Sequence, residues 1–367
     1  MHFSKMEEGF LYLIPPGAKA VAACPRLAVT DADGIVCSFS MNSGLGINDF
    51  VTWLARSFDG GSTWHVEGPI WPHLQSGQSI ICSISKAPAG DLFLYGMRFP
   101  IDQPGESFWS DATQGMKQNE LIWARSTDGG RSWTEPIPIP MLIPGSAEAP
   151  GAMCITRAGR WLACYAPYNT FDPALKVDRS QVALVYSDDE GRTWRYTPML
   201  RFEEEYATAA EAWVIELSDG RLLGTCWKLN QRDVTDFPNA YALSYDSGTT
   251  WTPTRSAGIM GQATSLVALP DGRALFIYNQ RKHGEIGVWI AAVNPTQDDF
   301  GVESNQIVWR AQTATQSGSS GEHSQWLDFS FGEPAAALLP DGTLLLVLWC
   351  IQPDGAGIRY VRLGISE

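Results

Sequence analysis

The sequence has little positive charge, few histidines and no long apolar run, and each absence argues against a class of function. The chain carries 26 basic residues against 40 acidic ones, so its net charge is −14, and no stretch concentrates lysine and arginine. This balance disfavours binding to nucleic acid through phosphate contacts. Because no run approaches the ~20 apolar residues of a spanning helix, we expect no membrane insertion.

Metal, cofactor and disulfide chemistry also find little support. The five histidines are scattered without the spacing of metal ligands, and we predict neither a metal nor a cofactor. The seven cysteines are odd in number, lie mostly in apolar segments and form no Cys-x-x-Cys pair, which favours reduced, buried thiols. Residues 1–8 lack the apolar segment of a secretory leader, so we predict a cytoplasmic location. A mature chain whose leader has been removed would show the same pattern.

What the sequence does contain is four copies of one eight-residue pattern, Ser-x-Asp-x-Gly-x-(Ser/Thr)-Trp. The copies occupy residues 57–64, 126–133, 187–194 and 244–251. Each copy predicts a tight turn in which the aspartate accepts backbone N–H groups and the glycine adopts a positive φ. The closing tryptophan then packs between neighbouring sheets. We therefore assign these aspartates a structural role and not a catalytic one.

A second repeat, an apolar strand followed by a glycine-containing turn and another apolar strand, sets the number of units. The six copies centre on residues 33–34, 89–91, 158–159, 219–220, 271–272 and 341–342. Asp-Gly between two apolar runs is a strong hairpin signal, and each interval has room for four short strands. No long helical periodicity is present. The sequence thus predicts an all-β protein, a single domain over residues 1–367 that forms a six-bladed β-propeller of four-stranded antiparallel blades.

The two ends of the chain are expected to meet in the last blade. Only three strands follow residue 333, whereas the apolar segment 9–14 precedes the first unit and supplies a fourth strand. Closing the ring in this way would hide two sheet edges. The fifth unit lacks the turn pattern, which indicates a degenerate blade.

In a propeller the innermost strands converge on the axis, so equivalent positions in the repeat indicate where a pocket forms. Nine residues before the hairpin glycine lie Glu211 and Glu333, and eleven before it lies Glu148. In the first unit the same count falls on Pro25, next to Arg26. Burying carboxylates without partners is costly, so this cluster predicts either a reactive site or salt bridges to arginine.

Counting forward from the glycine gives further candidates for the pocket wall. Trp227 and Trp349 lie seven residues past it, and Arg98 and Lys228 lie eight past it. The tryptophans either stack on sugar rings or pack blade against blade. Arg281 lies one residue further along, nine past the glycine of the fifth unit, and is either a carboxylate-binding residue or a solvated loop arginine.

Asp49 lies in the loop that leads into the third strand of the first unit. An aspartate at the rim of the pocket either donates a proton to a leaving group or caps a turn. The aromatic, acidic insertion from residue 99 to residue 120 is either a lid over the pocket or a contact with another subunit.

The repeated turns are similar to the Asp-boxes of the sialidase (neuraminidase) superfamily, and the six units resemble its six-bladed propeller. This resemblance implies an arginine triad for the substrate carboxylate, a loop aspartate as acid/base, and a tyrosine nucleophile assisted by a glutamate. By position, Arg26 and Arg281 match the first and third arginines. Asp49 approximates the acid/base residue, and Glu211 matches the assisting glutamate.

Two positions depart from the superfamily pattern. The second arginine is replaced by Trp227, with Lys228 beside it, and the nucleophilic tyrosine is replaced by Glu333. A pair of glutamates instead resembles glycosidases of the same fold that act on other sugars, such as exo-arabinanases.

The resemblance therefore implies an exo-acting glycoside hydrolase that removes a terminal sugar from an oligosaccharide or other glycoside. An acidic sugar held by Arg26 and Arg281 is placed ahead of a neutral one. Glu211 and Glu333 form the expected acid/nucleophile pair, with Glu148 as a substitute for either.

Asp49 is the alternative acid in this scheme. Two non-enzymatic hypotheses stay open at this point. One is a carbohydrate-binding propeller without turnover, and the other is a propeller that binds proteins through an apolar outer face.

Overall fold

The computed structural model describes residues 1–31, 34–312 and 327–367. The chain begins with strand β1 (His2–Leu13) and then forms the first blade. That blade consists of β2 (Val21–Val29), β3 (Ile35–Asn42), β4 (Val51–Ser57) and β5 (His65–Pro69). A 3-10 helix, Pro72–Leu74, leads into the second blade.

The second blade contains an inserted hairpin. Its four strands are β6 (Gln78–Lys86), β7 (Leu92–Pro100), β10 (Glu120–Ser126) and β11 (Ile137–Ile139). The insertion between β7 and β10 forms a separate two-stranded sheet from β8 (Trp109–Ser110) and β9 (Gly115–Met116).

In the third blade the innermost strand is broken into two pieces. These are β12 (Ser146–Glu148) and β13 (Cys154–Ile155), which both pair with β14 (Trp161–Tyr168). The outer strands are β15 (Gln181–Ser187) and β16 (Arg195–Arg201).

The fourth and fifth blades follow the same plan. The fourth contains β17 (Ala207–Glu216), β18 (Leu222–Asn230), β19 (Ala240–Ser244) and β20 (Arg255–Ser256). The fifth contains β21 (Gln262–Ala268), β22 (Ala274–Gln280), β23 (Gly287–Val293) and β24 (Val302–Arg310). In place of the repeated turn, the fifth blade connects β23 to β24 through Asn294, whose N–H donates to the Gly301 carbonyl.

The sixth blade is built from both ends of the chain. It contains β25 (Phe331–Leu338), β26 (Leu344–Gln352) and β27 (Gly355–Ser366), with β1 antiparallel to β27 at its outer edge. Strand β2 of the first blade contacts β25 of the last, so the ring is closed. The predicted all-β architecture of six four-stranded antiparallel blades is confirmed.

The four repeated turns fold as their sequence predicts. In the second blade Asp128 Oδ1 accepts the Ser126 hydroxyl at 2.8 Å and the N–H of Ser132 at 2.9 Å. Ser126 Oγ in turn accepts the N–H of Gly130 at 2.8 Å. In the first blade the equivalent bonds from Thr63 lower the pKa of Asp59 to about 2. In each turn the serine and aspartate side chains therefore bind one another and nearby backbone N–H groups, and none of the four aspartates lines the central cavity described below.

The described ranges contain no helix with the length and apolarity of a membrane span. All seven cysteines lie in these ranges and are unpaired, and all but Cys154 are buried. Within the same ranges no group of three His, Cys, Asp or Glu residues is placed to hold a metal ion.

Candidate active site

The innermost strands of four blades contain a β-bulge at the same position of the repeat. The residues with positive φ at these bulges are Cys24 (53°), Glu211 (54°), Ala263 (48°) and Glu333 (49°). A bulge redirects the side chain that it carries, and a positive φ is uncommon outside glycine. Such conformations cluster at functional sites because the surrounding structure must hold them in place.

A cavity of about 230 Å³ lies where the inner strands converge, and all six blades contribute to its wall. The wall includes three of the four bulge residues, the remaining predicted carboxyl group and both predicted tryptophans. Its members from the inner strands and their neighbours include Cys24, Met97, Glu148, Tyr168, Glu211, Trp227, Arg281, Glu333 and Trp349. The structure therefore brings Glu148, Glu211 and Glu333 together, as the sequence repeat indicates.

Glu148 and Glu211 are linked directly across the third and fourth blades. The backbone N–H of Glu211 donates to both carboxyl oxygens of Glu148, at 3.2 and 3.0 Å. Burial raises the pKa of Glu148 to about 8, although the N–H of Glu211 opposes the shift. Burial also raises the pKa of Glu211 well above its usual value, and the charges of Glu333 and Glu148 raise it further. Burial and the neighbouring carboxyl groups therefore both favour the protonated form of Glu211.

The Glu211 side chain lines the cavity with one carboxyl oxygen unpaired among the described residues. Its Oε2 atom is buried and has no hydrogen-bond partner among the described residues. A protonated carboxyl group in this state has a proton that it can donate to a group entering the cavity.

Glu333 is held in the same way as Glu148, across the junction of the last and first blades. Its Oε2 atom accepts the N–H of Cys24 at 2.9 Å. In both pairs the bulge N–H of one blade therefore binds the carboxyl group of the preceding blade.

Arg281 is the one cation among the described residues that line the cavity. Only 2% of it is exposed, and its Nε and Nη2 atoms donate to the Phe331 carbonyl at 3.1 and 2.7 Å. Its Nη1 atom is buried and has no partner in the described part of the chain. Burial lowers the pKa of Arg281 to about 10, against the opposing charges of Glu211 and Glu333. The guanidinium is thus charged at neutral pH, and its Nη1 group can donate a hydrogen bond to a ligand.

The structure does not bring Arg26 to the cavity wall, contrary to the expectation that it binds substrate. It is 1% exposed, and its guanidinium donates to the carbonyls of Pro25, Pro150 and Glu333 at 2.8, 3.1 and 3.1 Å. It also lies 5.2 Å from the Trp213 ring centroid. Arg26 therefore joins four blades beneath the cavity and has a structural role.

This difference has a simple cause in the first hairpin. The N–H of Thr30 donates to the Gly34 carbonyl, as the N–H of Leu217 donates to the Arg221 carbonyl. Gly34 thus corresponds to Arg221 and not to Gly220, so a count of nine residues back from Gly34 stops one residue short. The residue equivalent to Glu211 is Cys24; Asp33, the equivalent of Gly220, lies outside the described residues.

Arg98 and Lys228 also lie away from the cavity wall. Arg98 Nε donates to Glu120 at 2.9 Å, and Lys228 pairs with Glu204 at 2.5 Å. Both residues follow a cavity-lining neighbour, Met97 or Trp227, and successive side chains of a strand point to opposite faces.

Asp49 serves the loop in which it lies. Its Oδ1 atom accepts the N–H of Ser43 at 3.1 Å, which closes the loop that carries the cavity-lining residues Leu45 and Gly46. Asp49 itself does not line the cavity.

Trp227 and Trp349 line the cavity but are 8% and 4% exposed, so each presents only a small part of its ring. Trp227 Nε1 donates to Asp236 at 3.0 Å. Tyr168 is a cavity residue that the sequence analysis missed. It lies nine residues past the turn glycine Gly159, as Arg281 lies nine past Gly272. Trp227 lies seven past its own glycine, and residues two apart on a strand point to the same face, so this signal was present in the sequence.

The inserted hairpin between β7 and β10 forms part of the cavity wall through Phe108, Trp109 and Met116. Glu106 anchors it, because its carboxylate accepts the Asn48 amide at 2.8 Å and pairs with Lys117 at 2.5 Å. The insertion thus contributes to the cavity wall, and its role as a lid or as a contact with another subunit stays a prediction.

Comparisons with known proteins agree with this architecture. Residues 103–324 match the family model of the BNR repeat-like domain. A sialidase of Bacteroides fragilis is 26% identical over 250 residues, which are 64% of this chain and 43% of the relative. The chain therefore spans less than half the length of that curated relative.

Two solved structures share the fold over nearly their whole length. A protein of unknown function from Dyadobacter fermentans has a TM-score of 0.76, with 24% identity and 99% of both chains covered. An alpha-L-arabinanase of Penicillium chrysogenum, solved with arabinobiose, has a TM-score of 0.62, with 14% identity and 98% of both chains covered. The chain belongs to the BNR repeat-like domain family, within the sialidase superfamily of six-bladed propellers.

Proposed function

We propose that this protein is an exo-acting glycoside hydrolase that removes a terminal sugar in the axial cavity. The observation that carries the proposal is the difference between the environments of Glu211 and Glu333. Glu211 has a buried Oε2 atom without a partner among the described residues and a raised pKa, whereas Glu333 accepts a backbone N–H and lies near the Arg281 guanidinium. Glycoside hydrolysis requires two carboxyl groups in different roles, one as the acid and one as the nucleophile or base.

In this mechanism Glu211 is the general acid and transfers its proton to the glycosidic oxygen as the bond to the anomeric carbon breaks. Glu333 supplies the second carboxylate. It attacks the anomeric carbon in a retaining mechanism, or takes the proton of the attacking water in an inverting one. Water adds to the sugar in either case, and the leaving group departs as an alcohol. Proton NMR of the anomer formed first separates the two mechanisms.

Glu148 is proposed as a positioning residue for Glu211. Both of its oxygens accept the Glu211 N–H, at a bulge where the backbone has a positive φ. This contact fixes the peptide that carries the acid, so Glu148 acts through Glu211. Arg281 supports Glu333 electrostatically, and its unused Nη1 atom is available to a substrate oxygen.

The charges in the cavity favour a neutral terminal sugar over an acidic one. A substrate carboxylate would enter beside three carboxyl groups and meet Arg281 as the single lining arginine in the described part of the chain. Arg26, which an acidic substrate would require as a second arginine, is committed to backbone carbonyls. This reverses the order of substrates that the resemblance alone implies.

The test is hydrolysis of a panel of 4-nitrophenyl glycosides, including α-L-arabinofuranoside, β-D-galactoside, β-D-glucoside and the α-glycoside of N-acetylneuraminic acid. We expect turnover of at least one neutral glycoside by the wild-type protein, and its loss in Glu211→Gln and Glu333→Gln. Binding of glycans without turnover of any substrate would instead indicate a carbohydrate-binding propeller. Turnover confined to N-acetylneuraminic acid would contradict the neutral-sugar assignment.

A further inference from the structure

Six apolar side chains that line the cavity come from neighbouring segments of the chain, and we call them the apolar wall. It comprises Phe50, Ile81, Met97, Phe99, Phe108 and Trp109. These residues come from the first blade, the second blade and the inserted hairpin. The carboxyl groups of Glu148, Glu211 and Glu333, and the Arg281 guanidinium, come from the other four blades, which also supply apolar lining such as Trp227 and Trp349. The carboxyl groups and the apolar wall therefore belong to different blades.

The apolar wall is an ordered cluster. The ring centroids of Phe50 and Phe108 are 5.2 Å apart, those of Phe99 and Phe108 are 5.9 Å apart, and those of Phe50 and Phe99 are 6.3 Å apart. Phe99 is 1% exposed, whereas Phe50, Phe108 and Trp109 stay partly exposed. The wall therefore offers preformed aromatic surface to a ligand.

Backbone hydrogen bonds fix the inserted hairpin against the neighbouring loop of the first blade. The N–H of Asn48 donates to the Glu106 carbonyl at 2.8 Å, and the N–H of Phe108 donates to the Gly46 carbonyl at 3.2 Å. The Glu106 carboxylate also pairs with Lys117 at 2.5 Å. A bound group on this side consequently meets a fixed aromatic surface.

The apolar character of this wall determines which kind of leaving group it can accommodate. A second sugar placed on the apolar wall would lose hydrogen bonds from its hydroxyl groups to water, at roughly 1–3 kcal/mol for each hydroxyl left unpaired. An alkyl or aryl group would gain about 0.8 kcal/mol for each buried methylene. Both terms favour an apolar leaving group.

Resting on the proposed hydrolase function, we infer that the substrate is a glycoside of an apolar alcohol, whose alkyl or aryl aglycone packs on the apolar wall. Glu211 gives its proton to the glycosidic oxygen, so the aglycone leaves as a neutral alcohol. Water then supplies the hydroxyl group that bonds to the anomeric carbon and the proton that returns to Glu211. No further reactant is needed.

The experiment is a series of n-alkyl glycosides, from ethyl to hexyl, of the sugar that the panel selects. The leaving alcohols of this series are chemically alike, so the rate of bond cleavage is held nearly constant while the apolar area grows. We expect kcat/KM to rise about four-fold for each added methylene until the wall is covered. The Phe108→Ser variant should flatten this dependence, and Phe58→Ser, which alters an exposed ring away from the cavity, should preserve it.

The two proposals fail in different ways. If the enzyme hydrolyses the ethyl glycoside but kcat/KM does not rise with the length of the alkyl chain, the inference is overturned and the hydrolase function stands. Faster cleavage of a disaccharide of the same sugar than of the hexyl glycoside would have the same meaning. Absence of turnover on every glycoside would remove both proposals together.

Discussion

The Glu333 carboxylate accepts the backbone N–H of Cys24 at 2.9 Å, across the junction where the last blade meets the first. The candidate site is therefore completed only when the ring closes. Since the donor is the peptide and not the thiol, the contact depends on the bulge geometry and not on the chemistry of cysteine. The Glu211 N–H holds Glu148 by the same device at the junction of the third and fourth blades.

Replacing Glu333 by glutamine should separate catalysis from folding. The amide oxygen still accepts the Cys24 N–H, so we expect little change in the midpoint of thermal unfolding. Loss of the charge should lower kcat/KM by about 10²- to 10⁴-fold. Glu120→Gln, which alters an exposed carboxylate paired with Arg98, is the matched control and should retain activity. Equal activity in the two variants would contradict the role given to Glu333.

The stability of the protein should fall as the pH rises from about 4.5 to about 8, through the titration of Glu148. Its pKa is about 8 in the folded state against an ordinary value of 4.5, so the folded state binds more protons than the unfolded state in this interval. Proton release is then coupled to unfolding, and ionising the buried group destabilises the fold.

Urea unfolding at pH 5 and pH 9 measures this effect. In Glu148→Gln the difference in the free energy of unfolding between the two pH values should be smaller than in wild type. It should not vanish, because the raised pKa of Glu211 acts in the same direction. An identical difference in the two proteins would show that Glu148 titrates normally.

The two buried arginines should respond differently to substitution by methionine. Arg26→Met leaves the carbonyls of Pro25, Pro150 and Glu333 without their donor, so we expect a loss of roughly 3 kcal/mol or more in the free energy of unfolding. Arg281→Met removes bonds to the single carbonyl of Phe331 and should cost less. Activity should nevertheless fall in Arg281→Met, because Glu333 loses its nearby positive charge. Denaturant unfolding and kcat/KM of both variants test the contrast, and a reversed order of stability would refute it.

The repeated turns should each contribute a similar, modest stability. Ser126→Ala removes the acceptor of the Gly130 N–H and a donor to Asp128, and we expect a cost of about 1 kcal/mol in the free energy of unfolding. Ser57→Ala, at the equivalent position of the first blade, should cost the same. The exposed Ser43→Ala is the control. A negligible effect in both turn variants would contradict the structural role of this motif.

The fold could be predicted because its signals are local. The turn between Ser126 and Trp133 forms its hydrogen bonds within eight residues, and its repetition shows the plan of the blades. The convergence of Glu148, Glu211 and Glu333 followed from the same repeat, since equivalent positions of a propeller meet at its axis.

The rest of the site depends on details that the repeat does not encode. The glycine of the first hairpin stands one position later than that of the fourth, so counting from Gly34 leads to Pro25 and Arg26 in place of Cys24. Arg98 and Lys228 were assigned because the alternation of side chains along each strand was not applied to the forward count. The bulge at Glu211 and the apolar wall arise from packing between distant segments, which a single sequence does not show.

The central claim is that Glu211 is the acid in glycoside hydrolysis. The most direct test measures how the loss of kcat/KM in the Glu211→Gln variant depends on the leaving group of the substrate. A general acid matters greatly for a poor leaving group and little for a good one. For the preferred sugar we predict that kcat/KM of the ethyl glycoside falls by about 10³-fold or more in the variant, whereas that of the 2,4-dinitrophenyl glycoside falls by less than about ten-fold. An equal loss on both substrates, or full activity on the ethyl glycoside, would contradict the account.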